Sequence, residues 1–155
     1  MTPATVQLDK AGVAYETVEY DHDPDTGDYG QEAVDALGVD GSLVFKTLVA
    51  ELDSAELVVA VLPVLCLLDL KALARAAGAK KAAMATPTVA ERRTGYVVGG
   101  ISPFGQRQRQ RTFVDESALL YDRIHVSGGR RGLEVVVAPA AFETVLDATF
   151  ADLRG

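Results

Sequence analysis

Leu43 to Pro63, LVFKTLVAELDSAELVVAVLP, holds two strand-like runs around a short polar break. Leu43–Glu51 and Glu56–Pro63 are rich in β-branched and aromatic residues, and Asp53-Ser54-Ala55 supplies the turn chemistry between them. The spacing predicts a β-hairpin. The second arm, LVVAVLP, is apolar at every position, which marks a central strand covered on both faces. The first arm interrupts its apolar run with one charge, Lys46. Strand alternation puts Lys46 on the face of Val44 and Leu48.

Outward from the hairpin the chain alternates between helix and strand signals. Thr2-Pro3 is an N-cap followed by proline at the first helical position, and Gly12 closes that helix. Val13–Tyr20 reads as a strand, Asp21–Asp28 as a polar loop, and Gln31–Leu37 as a helix stopped by Gly38. Asp69 caps a helix through Ala77, ended by Gly78. Lys81–Ala85 reads as a short strand, and Thr86-Pro87 opens a helix to about Arg93. Arg111–Asp115, Arg123–Ser127 and Leu133–Ala138 read as strands, and Pro139 begins a terminal helix through Ala148. The expected fold is α/β: a single domain over residues 1–155 with a mixed sheet of six or seven strands and four or five helices.

The 155 residues carry 15 Lys and Arg against 22 Asp and Glu, a net charge of −7. Such a chain does not grip a phosphate backbone by its overall field and needs a local basic patch or a partner. Cys66 is the sole cysteine, which excludes an internal disulfide and fits a reducing compartment. It lies in the apolar run PVLCLLDL and reads as a buried, inert thiol. No signal-peptide pattern and no run of membrane-spanning length is present, so the expected location is cytoplasmic, with no membrane partner.

Thr94 to Gly105, TGYVVGGISPFG, packs four glycines and a proline into a nearly uncharged segment. Glycine pairs let the backbone approach another molecule with its amides pointing at it. A second pair follows in Ser127-Gly128-Gly129. Two such loops suggest a pocket that holds a ligand by its backbone. Lys46 either snorkels to a sheet edge or lines this pocket, where it would bind an anion or a carbonyl oxygen.

Other motifs fit poorly. Asp21, Asp23, Asp25 and Glu32 occupy calcium-loop positions, but Thr26 stands where the turn needs glycine, and a strand rather than a helix precedes the loop. The better reading is a solvated turn that carries Tyr29 towards the pocket. His22 and His125 make no zinc set, and GGISPFG lacks the lysine of a phosphate loop. No metal or cofactor is expected. Arg107, Arg109 and Arg111 alternate with glutamines and, if extended, would share one face. Lys80-Lys81, Arg92-Arg93 and Arg130-Arg131 add basic pairs; these are solvated surface or a strip that meets phosphates.

The set of motifs resembles the YbaK family of bacterial aminoacyl-tRNA deacylases. It comprises MTPA, Tyr20-Asp21-His22-Asp23-Pro24, Val44-Phe45-Lys46-Thr47-Leu48, Leu68-Asp69-Leu70-Lys71 and Gly78-Ala79-Lys80-Lys81. Thr94 through Pro103, Val126-Ser127-Gly128-Gly129 and Arg131-Gly132-Leu133 complete it, in order along the chain.

The resemblance implies a curled mixed sheet, a pocket for the terminal adenosine of a tRNA with its esterified amino acid, and hydrolysis of mischarged Cys-tRNA(Pro). It implies Lys46, Gly100 and Ile101 at the ester, with Tyr20, Tyr29, Ser127, Gly128, Gly129 and Glu134 binding substrate. The substrate's own thiol would attack the ester, and prolyl-tRNA synthetase would be the partner that selects tRNA(Pro). Departures from the family pattern are Tyr29 for Phe, Glu134 for Asp, Arg130 for Lys and a bulkier Leu65-Cys66-Leu67. They bear on the amino acid preferred. A deacylase for Ala-tRNA(Pro) and a non-catalytic module that docks on a synthetase or binds a nucleotide are the alternatives.

Overall fold

A computed structural model describes residues Met1–Gly155. Five helices, α1 (Pro3–Ala11), α2 (Tyr29–Leu37), α3 (Leu70–Ala77), α4 (Pro87–Thr94) and α5 (Ala140–Leu146), surround eight strands. The strands are β1 (Tyr15–Glu19), β2 (Phe45–Leu52), β3 (Leu57–Pro63), β4 (Ala82–Met84), β5 (Arg111–Asp115), β6 (Ile124–Ser127), β7 (Leu133–Val137) and β8 (Thr149–Ala151). The cap signals act where the sequence places them. The Thr2 hydroxyl accepts the Thr5 amide, Asp69 accepts the amides of Lys71 and Ala72, and Thr86 accepts that of Val89.

Two sheets form. One has the order β1-β7-β6, all antiparallel; the other has the order β4-β2-β3-β5-β8. In the second, β2 pairs antiparallel with β3 and β4, while β3–β5 and β5–β8 are parallel. A single bridge between Val44 and His125 joins the two sheets, which produces the curled mixed arrangement.

β3 is buried at every residue. Its alternation explains why it is apolar throughout. Val59 and Val61 join the core that α1 and α5 cover, with Leu8, Phe104, Ile124, Val135 and Phe142. Val58 and Ala60 point the other way, to Leu73, Ala77, Phe113 and Leu153 beneath α3. A third, smaller cluster packs Val49 and Leu57 against Ala90, Tyr96 and Ile101.

α5 ends two residues short of the expected Ala148, and an eighth strand that the sequence does not signal follows at Thr149–Ala151. α5 stops at Leu146 because Asp147 turns left-handed, with φ of 53°. The amides of Asp147 and Ala148 donate back to Glu143 and Phe142 in a Schellman-type ending, and the chain then pairs beside β5. Asp115, fully buried, pins this end by accepting the Leu153 amide at 2.8 Å.

Candidate active site

A cavity of about 340 Å³ opens where the two sheets meet, a size within the range of about 300–1,000 Å³ usual for small-ligand sites. β2 supplies Phe45–Val49, the start of α2 supplies Asp28, Tyr29 and Gly30, and the start of α4 supplies Pro87 and Ala90. Val98, Gly99 and Ile101 come from the glycine loop, Ser127 from β6, and Glu134 from β7.

Lys46 is half-buried in this wall, opposite Leu62 in the β2–β3 ladder, and forms no ion pair. Burial lowers its pKa below the usual lysine value, and the charges of Cys66 and Asp28 act in the opposite direction. The hairpin therefore presents an unpaired ammonium to an apolar cavity.

The loop from Thr94 to Gly105 is anchored at both ends. The Tyr96 hydroxyl donates to the Phe104 carbonyl at 2.6 Å, and the Val98 amide donates to Glu91 at 2.7 Å. Its second half, Ile101 to Phe104, is buried and plugs the core. Gly99 adopts φ of +88°, and a Cβ there would stand 2.7 Å from the Tyr29 ring. The Gly100 amide donates to the Val97 carbonyl at 2.8 Å. The amides of Gly99 and Ile101 have no acceptor in the protein. Of the loop residues expected at the site, Ile101 lines the cavity. Gly100 lies behind it, where a Cβ would meet the Arg130–Arg131 backbone at 2.9 Å.

The second glycine pair differs. Ser127 reaches the cavity, but Gly128 and Gly129 do not line it. The Gly128 amide donates to the Leu133 carbonyl, and the Gly129 amide donates to the Ser127 hydroxyl.

Tyr20, Tyr29 and Glu134 all reach the wall. The solvated turn carries Tyr29 into the cavity as expected. Asp23 accepts the Asp25 amide, Asp28 caps α2 through the Gln31 amide, and Glu32 holds His22 at 2.8 Å. No group of three or more His, Cys, Asp or Glu side chains gathers to ligate a metal. Tyr20 has its pKa pushed up to about 12, by burial first and then by the charges of Glu134 and Glu32. Glu134 is 5% exposed, and burial alone raises its carboxyl to about 8.

Three further residues at or beside the cavity, Thr47, Asp28 and Arg131, carry little sequence signal, and Gly99 belongs to a glycine pair whose open member the sequence does not mark. Thr47, next to Lys46, leaves its hydroxyl buried without a partner. Asp28 lines the cavity beside its capping task. Gly99 supplies an open amide. Arg131 places its guanidinium 4.7 Å from the Tyr29 ring centre and donates to the Val98 carbonyl. The free Gly99 amide, the unpartnered Thr47 hydroxyl and the packing of Arg131 on Tyr29 depend on the tertiary arrangement and are not visible in a sequence.

The basic strip does not form as an extended face. The chain bends at Arg107–Gln108, whose amides donate to Thr94 and Arg93, and Arg111 pairs with Glu56 through two bonds. Arg130 pairs with Glu19. Cys66 is half-buried on a turn rather than in the core. Its flanking leucines, Leu65 and Leu67, are 62% and 78% exposed, and none of the three lines the cavity. No helix is long and apolar enough to cross a membrane.

Comparison with known proteins adds to this geometry. A relative in Enterococcus faecalis, EbsC, named as a candidate Cys-tRNA(Pro)/Cys-tRNA(Cys) deacylase, is 38% identical over 123 residues, covering 79% of this chain and 75% of the relative. Two crystal structures share the fold. One, described as a candidate trans-editing enzyme for prolyl-tRNA synthetase, superposes with a TM-score of 0.85 over 100% of this chain and 99% of that one, at 24% identity. The other, the hypothetical protein APE2540, superposes with a TM-score of 0.88 over 99% of both chains at 22% identity. Residues 23–145 match the family described as the aminoacyl-tRNA editing domain, and the chain belongs to that family.

Proposed function

We propose that this cavity hydrolyses the ester of mischarged Cys-tRNA(Pro) in trans, beside prolyl-tRNA synthetase. The observation that carries the reading is that the unpaired Lys46 ammonium shares one apolar cavity with Gly99 and Ile101, two lining residues whose amides have no acceptor in the protein. An ester carbonyl gains negative charge when attacked, and pre-positioned donors in a low-dielectric site stabilise that charge. Tyr29, braced by Arg131 and Gly99, forms the aromatic wall for the terminal adenosine.

No serine–histidine or cysteine–histidine pair lines the cavity, which fits a nucleophile carried by the substrate. The cysteinyl thiol attacks its own carbonyl, and a sulfur–carbon bond replaces the carbon–oxygen bond. The thiol proton ends on the ribose 3′-oxygen, and a thiolactone leaves for later hydrolysis by water. Holding the thiol near its carbonyl supplies the rate advantage of proximity. The net charge of −7 leaves selection of the tRNA body to the synthetase.

Purified protein incubated with Cys-tRNA(Pro), and in parallel with Ala-tRNA(Pro), tests this. Release of cysteine with slow release of alanine is expected. Equal rates would overturn the substrate-thiol route and favour a broader deacylase. Inertness on both, with and without the synthetase, would remove the reaction altogether.

A further inference from the structure

Glu134 sits at the centre of the three-stranded sheet, paired through the backbone with Val18 on one side and Ser127 on the other. Its side chain lines the cavity, yet no amide, hydroxyl or cation of the protein bonds it. Unlike the Thr47 hydroxyl, the carboxyl oxygens are not sealed within the protein, and with no bond inside it they are available to a donor entering the cavity. Lys46 is the one cation in the cavity wall, and the charges acting on it are those of Cys66 and Asp28 rather than Glu134. The two groups line one cavity and form no ion pair with each other.

We propose that the buried carboxyl of Glu134 seats the free α-amino group of the aminoacyl ester, so that esters whose amine carries a formyl, acetyl or peptidyl group are refused. The assignment rests on the function proposed above. An aminoacyl ester carries its amine and its carbonyl on the two sides of one α-carbon. With the amine at Glu134, the carbonyl is directed towards the Lys46 end. Tyr20 and Ser127 place hydroxyls in the same wall for the remaining N–H bonds of the ammonium. Asp28, the other carboxyl of the cavity, is exposed and already accepts the Gln31 amide, so it is the poorer seat.

The proton balance is simple. The empty site holds a neutral carboxyl because its pKa is pushed up to about 8, close to that of an α-amino group at about 8. On binding, the carboxyl proton passes to a neutral amine, or is released to water when the amine arrives already charged. The buried product is in either case a carboxylate–ammonium pair. An acylated amine can take up no proton and offers a single uncharged donor.

Calorimetric titration with three non-hydrolysable probes tests the assignment: 3′-alanylamino-3′-deoxyadenosine, its N-acetyl form and its des-amino form. Wild type is expected to bind the free-amine probe at least about tenfold more tightly than the other two, the scale of a charged hydrogen bond. Glu134→Gln, which keeps shape and fold, should reduce that preference to about twofold or less, and Glu134→Asp should restore part of it. A melting curve at pH 6 checks that the Gln variant is folded. Equal affinity for all three probes in wild type, a preference retained in Glu134→Gln, or no binding of the free-amine probe would overturn the assignment. Cysteine release that persists alongside equal affinities would sink the Glu134 seat and leave the editing reaction standing. An intact amine preference without any release would do the reverse.

Discussion

Gly99-Gly100 and Gly128-Gly129 are the same signal in sequence and do different work in the fold. At the first pair the Gly99 amide is open, as is that of Ile101 just beyond it, and both residues line the cavity. At the second pair both amides are spent inside the protein, on the Leu133 carbonyl and the Ser127 hydroxyl, and neither glycine lines the cavity. Their steric demands differ as well. A Cβ at Gly99 would strike the Tyr29 ring, while one at Gly128 would strike the Leu133 side chain at 2.7 Å. A glycine pair therefore announces close approach. What approaches, a ligand or the protein itself, is decided by which amides remain unclaimed.

The comparison can be broken by substitution. Gly99→Ala forces a side chain into a left-handed backbone and onto Tyr29. Deacylation should fall about 100-fold, the scale of losing one positioned donor, with a stability loss of about 1–3 kcal/mol. Activity within a few-fold of wild type would mean that the loop does not serve the reaction.

Glu134→Gln sharpens the contrast through pH. The folded carboxyl titrates at about 8 against an ordinary value of 4.5. Between those values the folded state keeps a proton that the unfolded chain has lost, so wild-type stability falls as pH rises. The glutamine has no such dependence. The difference between variant and wild type should grow in the variant's favour by about 1.4 kcal/mol per pH unit across that window. Chemical denaturation at several pH values reads it, and parallel curves would refute the isolated, protonated carboxyl.

Gly128→Ala should cost about 1–2 kcal/mol of stability, because the neighbour it meets is a leucine side chain that must shift. The rate per folded molecule should stay within about threefold of wild type. A large loss of rate without loss of stability would place this loop in the chemistry after all. Arg131→Ala has the smallest expected effect. It removes a guanidinium from the Tyr29 ring, worth about 0.5–1 kcal/mol, and should raise KM by a few-fold while leaving kcat nearly unchanged. An unchanged KM would free Tyr29 from any role in binding.

Much of the fold is legible because it rests on local signals. The apolar run Leu57–Pro63, the caps at Thr2, Asp69 and Thr86, and the glycines ending α1 to α4 each act within a few residues. β8 is not legible. It depends on a left-handed Asp147, where no glycine marks the helix end, and on Asp115 far away in sequence. The arginine run Arg107–Arg111 alternates like a strand but is bent by carbonyls at the end of α4. Leu65 and Leu67 look like core and are exposed, because a turn closed by the Cys66 amide on Pro63 lifts them off the sheet. At the cavity, residue types are visible and their bonding is not. Lys46, Tyr20, Tyr29, Ile101, Ser127 and Glu134 can be named from sequence. That Lys46 and Glu134 are each left unpaired, and that Thr47 is orphaned beside them, depends on the tertiary arrangement.

The most direct measurement is the single-turnover rate of cysteine release from Cys-tRNA(Pro) by wild type and by Lys46→Ala, with melting curves for both. The expected result is release by wild type, a loss of about 100- to 1,000-fold in the variant, and equal or higher stability once a half-buried, unpaired charge is removed. Equal rates in the two proteins would contradict the assignment of this cavity as the deacylation site.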